Sequence, residues 1–196
     1  MVSKIDSIEK AWEDHRSPGG TNLYIGIDPG WQYGIGALNS KGQIIGWGGN
    51  KCSSWDELVF SIHQDAEDVW ALFPKVVVGP LRIFIGIEGT HHFGQATNMD
   101  VSSIDMKIGR WIVVFKYLPN ASIRPTIISL SPLTRKLTMP EFKSRFELKC
   151  PEPTTQHQID ACCLANRLYC SLRSPSKPKD QVKTKRSIAK GKLKFS

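Results

Sequence analysis

Two carboxylates stand at the ends of apolar segments that have the composition of buried strands. Asp28 closes the run 24–27, Tyr-Ile-Gly-Ile, and Glu88 closes the run 84–87, Phe-Ile-Gly-Ile. On its own, Asp28 could simply bond the amides of the Pro-Gly turn that follows it. If the two strands are neighbours in one sheet, however, their carboxylates lie close together and repel each other. Because burying a charge requires a compensating partner, Mg²⁺ or Mn²⁺, which prefer oxygen ligands, is the natural counterion.

A third chemical signal lies near the start of a predicted helix after Pro153, where His157 precedes Asp160 by three residues. Residues three apart lie on one face of a helix, so both side chains would point the same way. Taken alone, an acid in the first helical turn only interacts favourably with the helix dipole, and His157 would be an ordinary exposed residue. Taken together with the strand-end carboxylates, this face can complete a metal site.

The segments that must position these residues predict an α/β fold. The predicted strands are Leu23–Asp28, Gly34–Asn39, Gln43–Gly48, Arg82–Glu88 and Ser122–Leu130, the first three forming an antiparallel meander. The predicted helices are residues 1–16, Ser54–Leu72, which opens with a capping box, Asp100–Leu118, a short one at Pro132–Leu137, and Thr155–Leu172. Residues 138–153 are expected to be irregular. The result is a mixed sheet with helices on both faces.

Charge divides the chain into a neutral body and a basic tail. Of the 26 Lys and Arg residues and 18 acidic ones, nine and one respectively lie in 173–196, so the first 172 residues hold 17 of each. The expected organisation is an N-terminal extension, 1–20, one domain, 21–172, and a disordered tail, 173–196. A basic arm of this kind is typical of nucleic-acid binding, although it could merely aid solubility.

Cysteine usage predicts a reducing compartment, because the five cysteines are odd in number and Cys162 and Cys163 are adjacent. A zinc site from Cys150, His157 and one of the adjacent pair lacks paired short spacings, and buried thiols are the simpler interpretation. The N-terminus has no long apolar run, which predicts neither signal peptide nor membrane span. A soluble protein of the cytoplasm, in a bacterial cell or phage-infected host, is expected.

The order of the three signals resembles the RuvC-type Holliday junction resolvases of the RNase H-like superfamily. That family opens with a strand ending in Gly-Ile-Asp-Pro-Gly, which stands here at Gly26–Gly30. Its second strand ends in Ile-Glu, here residues 87–88, and its last helix carries an acid or His three residues before Asp-Ala, here His157 and residues 160–161. The resemblance spans roughly Leu23 to Leu168 and implies an RNase H-like fold with a five-stranded mixed sheet.

What the resemblance implies is a metal-dependent endonuclease that cleaves branched DNA, four-way junctions above all, with two Mg²⁺ or Mn²⁺ ions per site. The implied catalytic residues and metal ligands are Asp28, Glu88, His157 and Asp160, with Asp28 bridging both ions. A homodimer, formed through the helix near Ile104–Phe115, would present two sites to opposed strands.

The expected DNA contacts come from three regions. Arg135 and Lys136 follow the fifth strand, where the family approaches phosphate. His92 or Phe93 stands where the family inserts a residue at the junction centre, although the family usually has Gln directly after its catalytic Glu and this chain has Gly89. The tail contributes Lys183, Lys185 and Arg186.

Two other classes of protein remain open. A non-catalytic, structure-selective DNA-binding protein would keep the fold and tail without needing the three carboxylates together. An actin-like ATPase fragment shares the Asp-Gly strand and meander but needs further glycine-rich phosphate loops and a longer chain.

Overall fold

A computed structural model describes residues 8–16, 19–54, 56–58, 60–61, 64–65, 68, 81–89, 125–131 and 133–173. Its centre is a five-stranded sheet of order β3-β2-β1-β4-β5. The strands are β1 (Thr21–Asp28), β2 (Gly34–Leu38), β3 (Ile44–Gly48), β4 (Leu81–Glu88) and β5 (Thr126–Leu130). β1, β2 and β3 form an antiparallel meander, whereas β4 runs parallel to β1 and β5 parallel to β4. The predicted mixed α/β sheet is therefore confirmed.

Three helices have defined bounds: α1 (Ile8–Arg16), α2 (Met139–Arg145) and α3 (Gln156–Arg173). Residues 56–58, 60–61, 64–65 and 68 are helical as well, within the helix predicted after Ser54. Its start is capped as the sequence indicates, because the Glu57 amide donates to Ser54 Oγ at 3.2 Å. The Glu57 carboxylate accepts from the Ser53 amide rather than from that of Ser54. The predicted helix Asp100–Leu118 lies outside the described residues.

The short helix predicted at Pro132–Leu137 is wrong. Residues 133–138 form an irregular loop, and the helix is α2, inside the stretch predicted to be irregular. The signal for α2 was a Thr-x-x-Glu capping box, in which the Thr138 amide donates to Glu141 Oε2 at 2.9 Å. Pro140 in the first turn is also favourable, because the missing amide of proline has no helical partner there.

Glycines let α3 lie directly on the strands that it covers. A methyl group added to Gly26 would lie 2.1 Å from the Ala161 carbonyl oxygen, and one added to Gly34 would lie 2.0 Å from the His157 carbonyl oxygen. Only residues without a side chain permit this approach of helix backbone to strand backbone. The backbone of the first half of α3 therefore packs directly against the backbones of β1 and β2.

Both faces of the sheet are covered. On the α3 side, Tyr24, Phe84, Leu164 and Leu168 belong to one buried cluster. The opposite face carries side chains that are each at most 2% exposed: Leu23, Ile25, Ile27, Ile83, Ile85 and Ile87. The strands are thus buried on both sides, as is typical of a sheet between two helical layers.

The N-terminal helix α1 packs on the domain. Ala11 is fully buried, Thr126 Oγ1 donates to Asp14 Oδ2 at 2.9 Å, and the Arg82 guanidinium donates to the Asp14 carbonyl at 3.0 Å. His15 Nε2 lies 2.8 Å from the Tyr24 hydroxyl. These contacts tie the part of the predicted extension that is described, 8–16, to the starts of β1, β4 and β5.

The tail beyond Arg173 lies outside the described residues. None of the helices in the described part of the chain has the length and apolar character needed to cross a membrane. All five cysteines are free thiols.

Candidate active site

Asp28 and Glu88 end neighbouring parallel strands. The register pairs Ile27 with Ile87, so the two carboxylates emerge at the same edge of the sheet. Asp28 is only 7% exposed. The pKa of Asp28 is raised to about 7, chiefly by burial and also by the negative charge of Glu88, while a hydrogen bond from His157 opposes both effects. The predicted proximity of these two carboxylates is what the structure shows.

The first turn of α3 brings His157 to this edge, with His157 Nδ1 2.7 Å from Asp28 Oδ2. Two features of the local structure make the contact possible. Gly34, which pairs with Asp28 in the β1–β2 ladder, leaves room for the helix backbone at His157. The buried Gln158 side chain accepts hydrogen bonds from the amides of Thr154 and Thr155 at 2.8 and 3.1 Å, which fixes the start of the helix.

Asp160, one turn further along α3, is only 2% exposed and has both oxygens engaged. Lys136 Nζ lies 2.8 Å from Oδ2, and Gln156 Nε2 donates to Oδ1 at 2.8 Å. The hydrogen bond to Asp160 raises the pKa of Lys136, and the charges of Asp160, Asp28 and Glu88 add to that effect. One ammonium group therefore binds Asp160 and also lies within electrostatic reach of Asp28 and Glu88.

The loop after β5 forms the remaining wall of the site. The Leu133 amide donates to Glu88 Oε1 at 2.9 Å, three residues before Lys136 reaches Asp160. Its neighbour Arg135 points elsewhere and pairs with Glu141 of α2. The two basic residues predicted to contact phosphate are thus separated: Lys136 lies in the site, and Arg135 lies beside it.

The chemistry of this group suits a divalent ion, although its side chains are turned toward protein partners. Among the described residues, no three His, Cys, Asp or Glu side chains already form a metal-binding group, the zinc combination around Cys150 included. Asp28 and Glu88 provide oxygen donors at a buried edge where their charges oppose each other. Asp160 would have to release Lys136 to become a ligand. Carboxylate oxygens are the kind of donor that Mg²⁺ or Mn²⁺ prefers, but in this arrangement the ammonium group of Lys136 occupies Asp160.

The sequence analysis did not predict two groups that bond the site carboxylates. Gln156 stands four residues before Asp160, the spacing at which helix side chains meet, so this contact had a detectable signal. The Leu133 amide is a backbone group, and its position depends on how the loop folds. The other predicted DNA-contact residues lie outside the described part of the chain: His92, Phe93, Lys183, Lys185 and Arg186.

The fold has a solved counterpart. The structure titled T. thermophilus RuvC in complex with Holliday junction substrate matches with a TM-score of 0.52 and 20% sequence identity, over 76% of this chain and 95% of that one. No protein-family model and no curated protein sequence matches this chain. A likeness at this level of identity establishes the fold, which is the RNase H-like fold of RuvC.

Proposed function

We propose that this chain, folded like RuvC, is a metal-dependent endonuclease that cuts branched DNA at four-way junctions. The observation that carries the proposal is the pair of neighbouring carboxylates Asp28 and Glu88 at one edge of the sheet, with Lys136 bound to the buried Asp160 and within electrostatic reach of both. Burying like charges together is unfavourable for folding alone. Such an arrangement is typical of a site that serves catalysis.

The three carboxylates, with His157, are proposed to hold two Mg²⁺ or Mn²⁺ ions, as the resemblance implies. When bound, such ions supply an activated water and neutralise charge on a phosphodiester. The chain itself contributes the positions of the donors. β1 and β4 hold Asp28 and Glu88 side by side, and α3 carries His157, which contacts Asp28, and Asp160 one turn further on.

His157 and Lys136 adjust the charge of this group. The His157 hydrogen bond lowers the pKa of Asp28 against the effect of burial, which increases the charged fraction of that carboxylate near neutral pH. Lys136 neutralises the charge of Asp160. Once displaced from Asp160, its ammonium is available to a phosphate, consistent with the role predicted for it.

DNA is the proposed substrate for two reasons. The structure that this chain resembles was solved with a Holliday junction. The net charge of +8 equals that of residues 173–196 alone, and a basic segment of this kind attracts nucleic acid. Lys183, Lys185 and Arg186 are proposed to contact the arms, and His92 or Phe93 the junction centre. A homodimer through Ile104–Phe115 would place two sites on opposed strands.

The test is incubation of the full chain with fluorescent four-way junctions and with linear duplexes of the same sequence, in Mg²⁺ or in EDTA. We expect Mg²⁺-dependent nicks near the branch point of the junction and little cutting of the duplex. Tight junction binding without cleavage would favour a non-catalytic binding protein. Release of phosphate from ATP without DNA cleavage would favour the ATPase class. Either result would overturn the proposal.

A further inference from the structure

A concave surface of about 420 Å³ lies beside the candidate active site, between the loop after β5, the end of α2 and the middle of α3. It shares a wall with that site. Leu133 lines the cavity, and its amide bonds Glu88. Cys163, which also lines it, follows Asp160 by one helical turn. The cavity therefore continues the active-site surface along α3.

Three arginines line this cavity, and none of its described lining residues is acidic: Arg135 on the loop, Arg145 at the end of α2 and Arg167 on α3. Asn166 and Ser171 add polar groups. Arg135 is partly neutralised by its ion pair with Glu141. The surface nevertheless carries a net positive charge, and its concave shape concentrates that field.

Arg145 and Arg167 differ in their hydrogen bonding to the protein, and the difference suits ligand binding. Arg167 is held in place, because its guanidinium donates to the Ser131 carbonyl at 2.6 Å. The exposed Arg145 side chain makes no hydrogen bond or ion pair with any residue that the structure describes. Its positive charge nevertheless opposes the effect of burial, which raises the pKa of the Cys163 thiol in the same cavity. An arginine without a carboxylate partner, beside a fixed one, presents donors to an incoming anion.

The distance between the active site and this cavity matches the spacing of phosphates along a DNA strand. Arg167 follows Asp160 by seven residues, which corresponds to about 10 Å along a helix. Successive phosphates of one DNA strand advance by about 3.4 Å along the duplex axis. A strand whose scissile phosphate lies at the carboxylates would place another phosphate, up to about three nucleotides away, over this cavity.

We propose that this cavity is a second phosphate-binding site, in which Arg145 and Arg167 hold a backbone phosphodiester of the strand being cut. The inference rests on the proposed function for its choice of DNA as the ligand. Inorganic phosphate shares the chemistry of the ligand. A single phosphate ion, however, would fill only this cavity, whereas a DNA strand would span both the cavity and the active site.

The test compares junction binding by full-length Arg145→Gln, Arg145→Lys and a matched control, Arg16→Gln. Arg16 is also exposed but lies near the start of β1, at the opposite end of the strand from Asp28. Binding is measured by fluorescence anisotropy in EDTA, so that DNA stays intact, over a series of salt concentrations. Inorganic phosphate is added as a competitor at constant ionic strength.

We expect Arg145→Gln to raise Kd for the junction roughly 3- to 10-fold more than Arg16→Gln does, and to reduce the slope of log Kd against log salt by about 1. Arg145→Lys should keep most of the slope. A methylphosphonate within three nucleotides of the branch point should weaken wild-type binding but leave Arg145→Gln unaffected.

Equal effects of Arg145→Gln and Arg16→Gln would overturn the inference. So would a thermal shift by inorganic phosphate that depends on Arg145 while junction affinity does not. Failure of the proposed nuclease function is seen separately, because it appears as intact junctions in Mg²⁺ whatever residue occupies position 145.

Discussion

His157 Nδ1 lies 2.7 Å from Asp28 Oδ2 and joins the first turn of α3 to the end of β1 across 129 positions of sequence. This hydrogen bond lowers the pKa of Asp28, whereas burial and the charge of Glu88 raise it. The contact makes His157 a positioning partner of Asp28. Its predicted role as a metal ligand would require the ring to share or exchange this bond.

The role of His157 can be tested by comparing two substitutions. His157→Ala should lower junction cleavage at neutral pH about 10- to 100-fold, because Asp28 loses the partner that favours its charged form. His157→Asp should retain more activity in saturating Mg²⁺, since it keeps an oxygen donor on the same helix face. Single-turnover rates measure both. A normal rate and pH profile in His157→Ala would mean that the site consists of the carboxylates alone.

Asp28 should make the metal-free protein less stable as pH rises. Its pKa of about 7 in the folded protein exceeds the ordinary value of 3.8, so the folded state binds the proton more tightly. The associated stability is present in full below pH 3.8 and is lost as pH rises toward 7. Asp28→Asn should therefore exceed the wild type in free energy of unfolding by about 1–3 kcal/mol at pH 8, and by less at pH 5.

Urea denaturation in EDTA measures this difference, with Asp56→Asn as a control because Asp56 is exposed in the helical segment after Ser54. The control should follow the wild type at both pH values. A gap between Asp28→Asn and the wild type that does not grow between pH 5 and pH 8 would refute the assignment.

Lys136 should act as a replaceable cation. Lys136→Ala leaves the buried Asp160 without its ion-pair partner, but the lysine side chain is 63% exposed, so solvent screens the pair. We expect a loss of about 1 kcal/mol in EDTA, reduced or reversed when Mn²⁺ is added. Thermal melts with and without Mn²⁺ measure it. Lys143→Ala, which breaks the exposed pair with Glu152, should show no such dependence on Mn²⁺.

Gly34 should be essential to the close packing of α3 against the sheet. A methyl group there would lie 2.0 Å from the His157 carbonyl oxygen, so Gly34→Ala should destabilise the protein by at least about 1–3 kcal/mol and impair cleavage. Gly86→Ala is the matched control, because its methyl meets the end of the flexible Leu130 side chain. If both variants retain wild-type stability and activity, the close approach of α3 is not what positions His157.

The parts of the fold that the sequence predicts well depend on local pattern. The apolar runs that end in Asp28 and Glu88 identify β1 and β4, and their parallel pairing places both acids at one edge. The helix α3 follows from the spacing of its apolar residues and is confirmed within one residue at each end. The proximity of the two strand-end carboxylates could therefore be predicted from local pattern, whereas the placing of His157 beside Asp28 followed from the family resemblance.

What the sequence could not predict depends on long-range contacts. The bonds of the loop after β5, from Leu133 to Glu88 and from Lys136 to Asp160, join residues that are far apart in sequence. These two contacts stabilise an irregular loop at residues 133–138, where a short helix was expected. The displaced helix α2 did have a local signal, the Thr138 and Glu141 capping box. The burial of Asp160, and hence its need for a cation, emerges only when α3 packs on the sheet.

The central claim is that the carboxylates at this edge cut DNA, and single-turnover cleavage of a four-way junction by Asp28→Asn and Glu88→Gln tests it most directly. We predict a fall of more than about 100-fold in rate with Mg²⁺, unchanged or tighter junction binding, and a wild-type rate for Glu152→Gln, whose exposed carboxylate lies outside the site. A full cleavage rate in Asp28→Asn would contradict the account.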